Sequence, residues 1–160
     1  MRILALDIGT KRIGVAYADT SVRIAVPRGM IPVDGNELAE IAKQFRLEKA
    51  DLIVSGLPRN NSGEETRQTE AVHNFIISLQ DYFVKHEQKA PLIKFQDESW
   101  TSVEAEAHIA ERKHELSRQD RADGLVDAEA AAIILQDFLE GADLAQIEAE
   151  LKEELWKRRA

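Results

Sequence analysis

Four acidic residues stand where side chains could meet to do chemistry: Asp7, Asp97, Glu98 and Asp127. Asp7 closes the apolar run Ile3-Leu4-Ala5-Leu6, and two cations, Lys11 and Arg12, follow shortly after it. Asp97 and Glu98 close a second apolar run, and Asp127 opens a strongly helical stretch. Hard carboxylate oxygens of this kind suit Mg²⁺ or Mn²⁺. With two such ions roughly 4 Å apart, a water on one is activated while the other steadies the leaving oxygen of a phosphodiester. Repulsion among the gathered acids supplies the need for a metal. Each acid also has an ordinary reading. A strand-end Asp is a common turn former, an Asp in the first turn of a helix is favoured by the dipole, and Asp97 and Glu98 would serve as solvated loop acids. Only joint placement makes them a site.

The elements that must position them follow from periodicity. Residues 3–7 and 13–19 alternate around a Gly-containing turn and predict a hairpin. Residues 22–33 predict a third strand, kept at the sheet edge by Pro27 and Pro32. Asn36 is the expected N-cap of a helix over 37–46 with a stripe of Leu38, Ile41, Ala42 and Phe45. A buried strand at 51–55 stops at Gly56 and Pro58. Ser62-Gly-Glu-Glu65 then opens a capping box for a long helix towards Val84. A last strand at 92–96 and a helix at 101–112 follow, and the polar stretch 114–124 is expected to be a loop. The helix over 125–139 should face inward through Val126, Ala130, Ile133, Ile134 and Phe138. Gly141 ends it, and Asp143 caps a final amphipathic helix with Leu144, Ile147, Leu151 and Leu155. The order describes an α/β layer fold, a mixed sheet flanked by helices. In such a sheet, ligands gather beyond the carboxyl ends of the strands, where these acids fall.

Composition narrows the function. The chain has 160 residues, enough for one domain with a real core. Hydrophobic residues make up 44 % and charged residues 31 %, values of an ordinary soluble domain. There is no cysteine, so disulfides and thiolate metal sites are excluded, and an intracellular, cytoplasmic setting fits. No apolar run could span a membrane, and the N-terminus lacks a signal-peptide layout, so no membrane partner is expected. The net charge is −8, partly from a tail holding seven acids and four bases from Asp137 onwards. A nucleic-acid surface must therefore be a local patch.

Four stretches, ALDIGTKRIGVAYAD, SGLPRNNSGEETRQTEAVHNF, QDESWTSVEAE and GLVDAEAAAIILQDFL, cover most of residues 3 to 139. Together and in this order they resemble the YqgF/RuvX family of RNase H-like nucleases. The resemblance implies an RNase H-like mixed five-stranded sheet flanked by helices, with an extra C-terminal helix. Residues 1–141 would form the nuclease domain, and 142–160 an amphipathic helix belonging to it. Family members are described as pre-16S rRNA processing nucleases and as Holliday junction resolvases. Carried over by position, the catalytic and metal-binding acids would be Asp7, Glu98 and Asp127, with Mg²⁺ or Mn²⁺ as cofactor. Strand parity leaves Asp97 as the alternative to Glu98. The chain departs from the family pattern at Ser99, where the family usually has Arg; losing that cation bears on substrate contact more than on the carboxylates.

The remaining polar residues have candidate roles. Gly9 would let a substrate pass close to the backbone, or simply make a tight turn. Lys11 and Arg12 would approach the scissile phosphate, or lie at a solvated hairpin tip. Arg59 and Asn60, near the free N–H groups of a helix start, would grip a strand backbone. Arg112, Lys113, Arg118 and Arg121 would clamp nucleic acid or form an ordinary charged loop. His73, His86, His108 and His114 show no metal-ligand spacing. Trp100 would stack on a base or pack in the core. The implied partner is nucleic acid, structured RNA with branched DNA as the alternative, bound by a monomer or a homodimer. Two other functions compete. The Asp-x-Gly-Thr hairpin also resembles the phosphate-binding hairpin of sugar kinases, actin and heat-shock chaperones, yet those bind ATP between two such domains. A non-catalytic nucleic-acid-binding module is the second rival.

Overall fold

Seven residues alternating between the two faces of a sheet, Arg2–Ile8, make the central strand β1 of the computed structural model, which describes residues 1–60, 62–98 and 124–159. Strand β2, Arg12–Asp19, returns antiparallel to it, pairing Asp7 with Gly14 and Leu6 with Val15. Strand β3, Val26–Pro32, pairs antiparallel with β2 and lies at the edge, as its two prolines demand. Strands β4, Leu52–Leu57, and β5, Leu92–Asp97, add on the other side in parallel, giving the order β3-β2-β1-β4-β5. β4 is buried along its whole length, the continuous apolar run expected of a parallel strand covered on both faces.

Helices cover both faces. Helix α1, Glu37–Leu47, and helix α2, Arg67–Glu87, close over one face, where Leu4, Leu6, Ile13 and Ile53 meet Ile41, Val72, Ile76 and Phe83. Helix α3, Leu125–Gly141, lies across β2, β3 and β1 on the other face, where Ile3, Ala5, Ala16 and Val54 meet Ala131, Leu135 and Phe138. Helix α4, Leu144–Arg159, follows a short turn capped by Asp143, whose carboxylate accepts the Gln146 N–H at 3.1 Å. Ile147 carries α4 into the α3-side core.

Several expectations need correction. The long helix begins at Thr66, not at Ser62. The Thr66 hydroxyl accepts from the Thr69 N–H, and the Thr69 hydroxyl accepts from the Thr66 N–H, a complete capping box. The earlier segment is a loop because the Asn60 carboxamide oxygen takes the Ser62 and Glu64 N–H groups. Asn36 makes no side-chain cap; its own N–H donates to Asp34. Helix α3 buries Ala128, Ala131, Leu135 and Phe138 with Ala132, Ile134 and Leu139, while Val126, Ala130 and Ile133 are only partly covered. The helix predicted at 101–112, nearly all of the loop at 114–124, and Ser99, Trp100, His108, His114, Arg112, Lys113, Arg118 and Arg121 lie outside the described residues.

Candidate active site

Alternation along the strands decides which acids can meet. In β1, Ile3 and Ala5 point to the α3 side, so Asp7 does too. In β4, Leu52 and Val54 share that side, which puts Gly56 there. In β5, Leu92 shares it, which carries Glu98, one residue past the strand end, onto the same face and Asp97 onto the opposite one. The strands β1, β4 and β5 all run the same way, so Asp7, Gly56 and Glu98 gather at one carboxyl edge.

Asp7 and Glu98 are hydrogen-bonded to each other. Burial pushes the Asp7 carboxyl up to about 6; its bond with Glu98 opposes the rise, and the charge of Asp127 adds to it. Burial, the Asp7 charge and the Asp7 bond together push Glu98 up to about 8. At neutral pH the pair therefore keeps a proton between them, carried on Glu98, because two adjacent half-buried carboxylates repel.

Asp127 is in the first turn of α3. It is close enough for its charge to act on Asp7, but its carboxylate accepts a 3.0 Å bond from Arg12 Nε. Among the described residues no three acidic or histidine side chains enclose a metal position as they stand. Two acids are in contact, and the third is engaged by a cation. The donor set nevertheless suits a hard divalent ion, since a shared proton between two half-buried carboxyls is the feature such a cation would replace.

Two glycines that the sequence reading left without a role in the site make this approach sterically possible. A methyl group on Gly14 would collide with the Asp127 main-chain carbonyl, so glycine in mid-β2 lets α3 settle against the sheet. A methyl on Gly56 would strike the Glu98 carboxylate and Ile134. Gly56 is inside β4, paired with Gln96, and does not end the strand as expected. Glycine inside an otherwise apolar strand is the signal that could have revealed both.

The other sequence-predicted residues fall as follows. Gly9 makes the hairpin turn, its N–H donating to the Arg12 carbonyl at 3.0 Å, and a side chain there would crowd that carbonyl. Lys11 and Arg12 are exposed at the same tip. Arg59 donates through Nε to Asp97 at 2.7 Å, which ties the loop after β4 to the end of β5. Asn60 is spent on organising that loop. His73 packs edge-on against Phe95, and His86 lies against Tyr82. Among the described residues, no helix is long and apolar enough to cross a membrane.

The RuvX family model, described as Holliday junction resolvase, matches residues 1–141. A protein of Clostridium novyi is 41 % identical over 145 residues, covering 88 % of this chain and 98 % of its own length. One of Streptococcus uberis is 33 % identical over 147 residues, again covering 88 % and 98 %. Both bear the name "Putative pre-16S rRNA nuclease". The crystal structure of the fowlpox virus Holliday junction resolvase matches with a TM-score of 0.50 at 13 % identity, over 89 % of this chain and 100 % of that one. That likeness is one of fold, and it makes the mixed sheet RNase H-like. With a family match from Met1 to Gly141 and relatives this similar along most of its length, the chain belongs to the RuvX family.

Proposed function

We propose that this chain is a divalent-metal-dependent nuclease that hydrolyses nucleic-acid phosphodiesters, acting on precursor 16S rRNA in ribosome biogenesis. The observation that carries the reading is the hydrogen-bonded Asp7–Glu98 pair at the carboxyl edge of the sheet, with Asp127 near enough to act on it. The substrate is the one named for the Clostridium novyi and Streptococcus uberis relatives.

In this reading Asp7, Glu98 and Asp127 hold Mg²⁺ or Mn²⁺. What the ion supplies when bound is positive charge against the phosphoryl oxygens and a water made more acidic. Glu98 would have to be ionised to serve as a ligand, since a carboxylate binds a hard cation only when ionised. Lys11 and Arg12, exposed at the hairpin tip, take the phosphates flanking the scissile bond. Gly9 keeps that turn tight, its N–H donating to the Arg12 carbonyl. Arg59 and Asn60 act one step removed, holding the loop after β4 in place for the strand backbone. Such a substrate implies a cytoplasmic protein.

The test is cleavage of a precursor 16S rRNA fragment with Mn²⁺, comparing wild type with Asp7→Asn. Wild type cuts the RNA, and the variant is slower by roughly a thousandfold, about 4 kcal/mol of lost transition-state stabilisation. Equal cutting by both proteins would sink the catalytic reading and leave a non-catalytic binding module. A four-way DNA junction is the second reading, favoured by the description of the family model. A resolvase acting on two strands at once requires a symmetric dimer. Preferential junction cutting by a species of twice the chain mass would establish it over the RNA reading.

A further inference from the structure

Arg12 and Asp127 are 115 positions apart in sequence and meet through one bond, Nε to a single carboxylate oxygen, at 3.0 Å. The two ends of this bridge differ in their surroundings. The Arg12 side chain is 54 % exposed at the hairpin tip, whereas Asp127 is 25 % exposed. Asp127 also faces Asp7, whose carboxyl its charge keeps protonated to higher pH. The same carboxylate thus lies between a solvent-accessible cation and a partly buried acid. A one-point bond also differs from the two-pronged fork by which arginine grips carboxylates most firmly. Exposed ion pairs of this kind are worth little, so exchanging the partner costs little.

We infer that Arg12 is an exchangeable counter-ion of the site. It holds Asp127 while the acids carry no metal, yields that carboxylate to an entering divalent cation, and turns its freed guanidinium to a phosphate of the nucleic acid. The inference rests on Asp7, Glu98 and Asp127 being the metal ligands. Charge balance drives the exchange: a divalent ion satisfies Asp7, Glu98 and Asp127 together, whereas the guanidinium neutralises only one of them. The planar fork then matches phosphate geometry better than the single bond it leaves.

Mn²⁺ binding to the full chain tests it, read by the electron paramagnetic resonance of free Mn²⁺ and by calorimetry, without any cleavage assay. Arg12→Gln removes the competitor and binds Mn²⁺ about three- to tenfold more tightly than wild type. The same variant binds a fluorescent oligonucleotide about tenfold more weakly, the loss of one charge-assisted phosphate contact. Arg12→Lys keeps the charge without the fork, so its Mn²⁺ affinity stays near wild type while oligonucleotide affinity falls. Unchanged or weaker Mn²⁺ binding by Arg12→Gln, with Asp7→Asn clearly weakened, overturns the role of Arg12 alone. Wild-type Mn²⁺ binding by Asp7→Asn overturns the metal reading itself, and the counter-ion with it.

Discussion

Glu98 keeps its proton to about pH 8 in the folded chain, against an ordinary value of 4.5, and burial beside Asp7 is the cause. Between those two pH values the folded chain binds more protons than the unfolded one. Stability of the metal-free protein therefore falls as pH rises from about 4.5 to 8. Asp7, raised to about 6, adds to the same slope at its lower end. Glu98→Gln removes the larger contribution. Its metal-free melting temperature at pH 8 should exceed that of wild type by about 3 °C, roughly 1 kcal/mol after discounting for solvent around the site. At pH 4 the two proteins should melt together. Scanning calorimetry at both pH values checks this, and a variant equally unstable at pH 8 would show that the carboxyl pair is not the source of strain. A more stable but inactive variant is the mark of a site that trades stability for function.

Thr66 and Ser62 separate what the sequence displayed from what only the fold decides. Ser62-x-x-Glu65 is a fair capping box on paper, and Thr66-x-x-Thr69 is a poorer one. The choice falls to Thr66 because Asn60 captures the backbone of the intervening loop, and because the Thr69 hydroxyl also donates to the Pro58 carbonyl. Thr66→Ala should cost about 1 kcal/mol, whereas Ser62→Ala should change stability by under about 0.5 kcal/mol. Urea denaturation of the two variants checks the assignment. The strands were legible in advance because apolar runs bounded by Gly, Pro and acids have few alternatives. The choice between Asp97 and Glu98 was not legible, since it depends on parallel register with β4, which no local pattern encodes. The inward face of α3 was hidden for a different reason. Its alanine-rich sequence is apolar nearly all round, so the 3.6-residue period is weak. Gly14 and Gly56 acquire their meaning only when α3 and Glu98 arrive on top of them.

For the molecule as a whole, α4 decides whether the C-terminal helix is an appendage or part of the domain. Ile147 enters the α3-side core, and Lys94 on β5 donates to Glu150 at 2.8 Å. Ile147→Ala should destabilise the entire protein by about 2–4 kcal/mol, with one cooperative transition rather than a separate early loss of the helix. Two transitions by circular dichroism would make α4 an independent element. The same long-range construction governs when activity can begin. Asp7 comes from the first strand, Glu98 from the end of the last, and Asp127 is seated only once α3 lies over Gly14. A chain interrupted before that helix would own all five strands but only two of the three proposed ligands, hence no hydrolytic capacity. Completion of synthesis and folding would then act as the safety catch on this nuclease, keeping unfinished copies harmless to the cell's own nucleic acids.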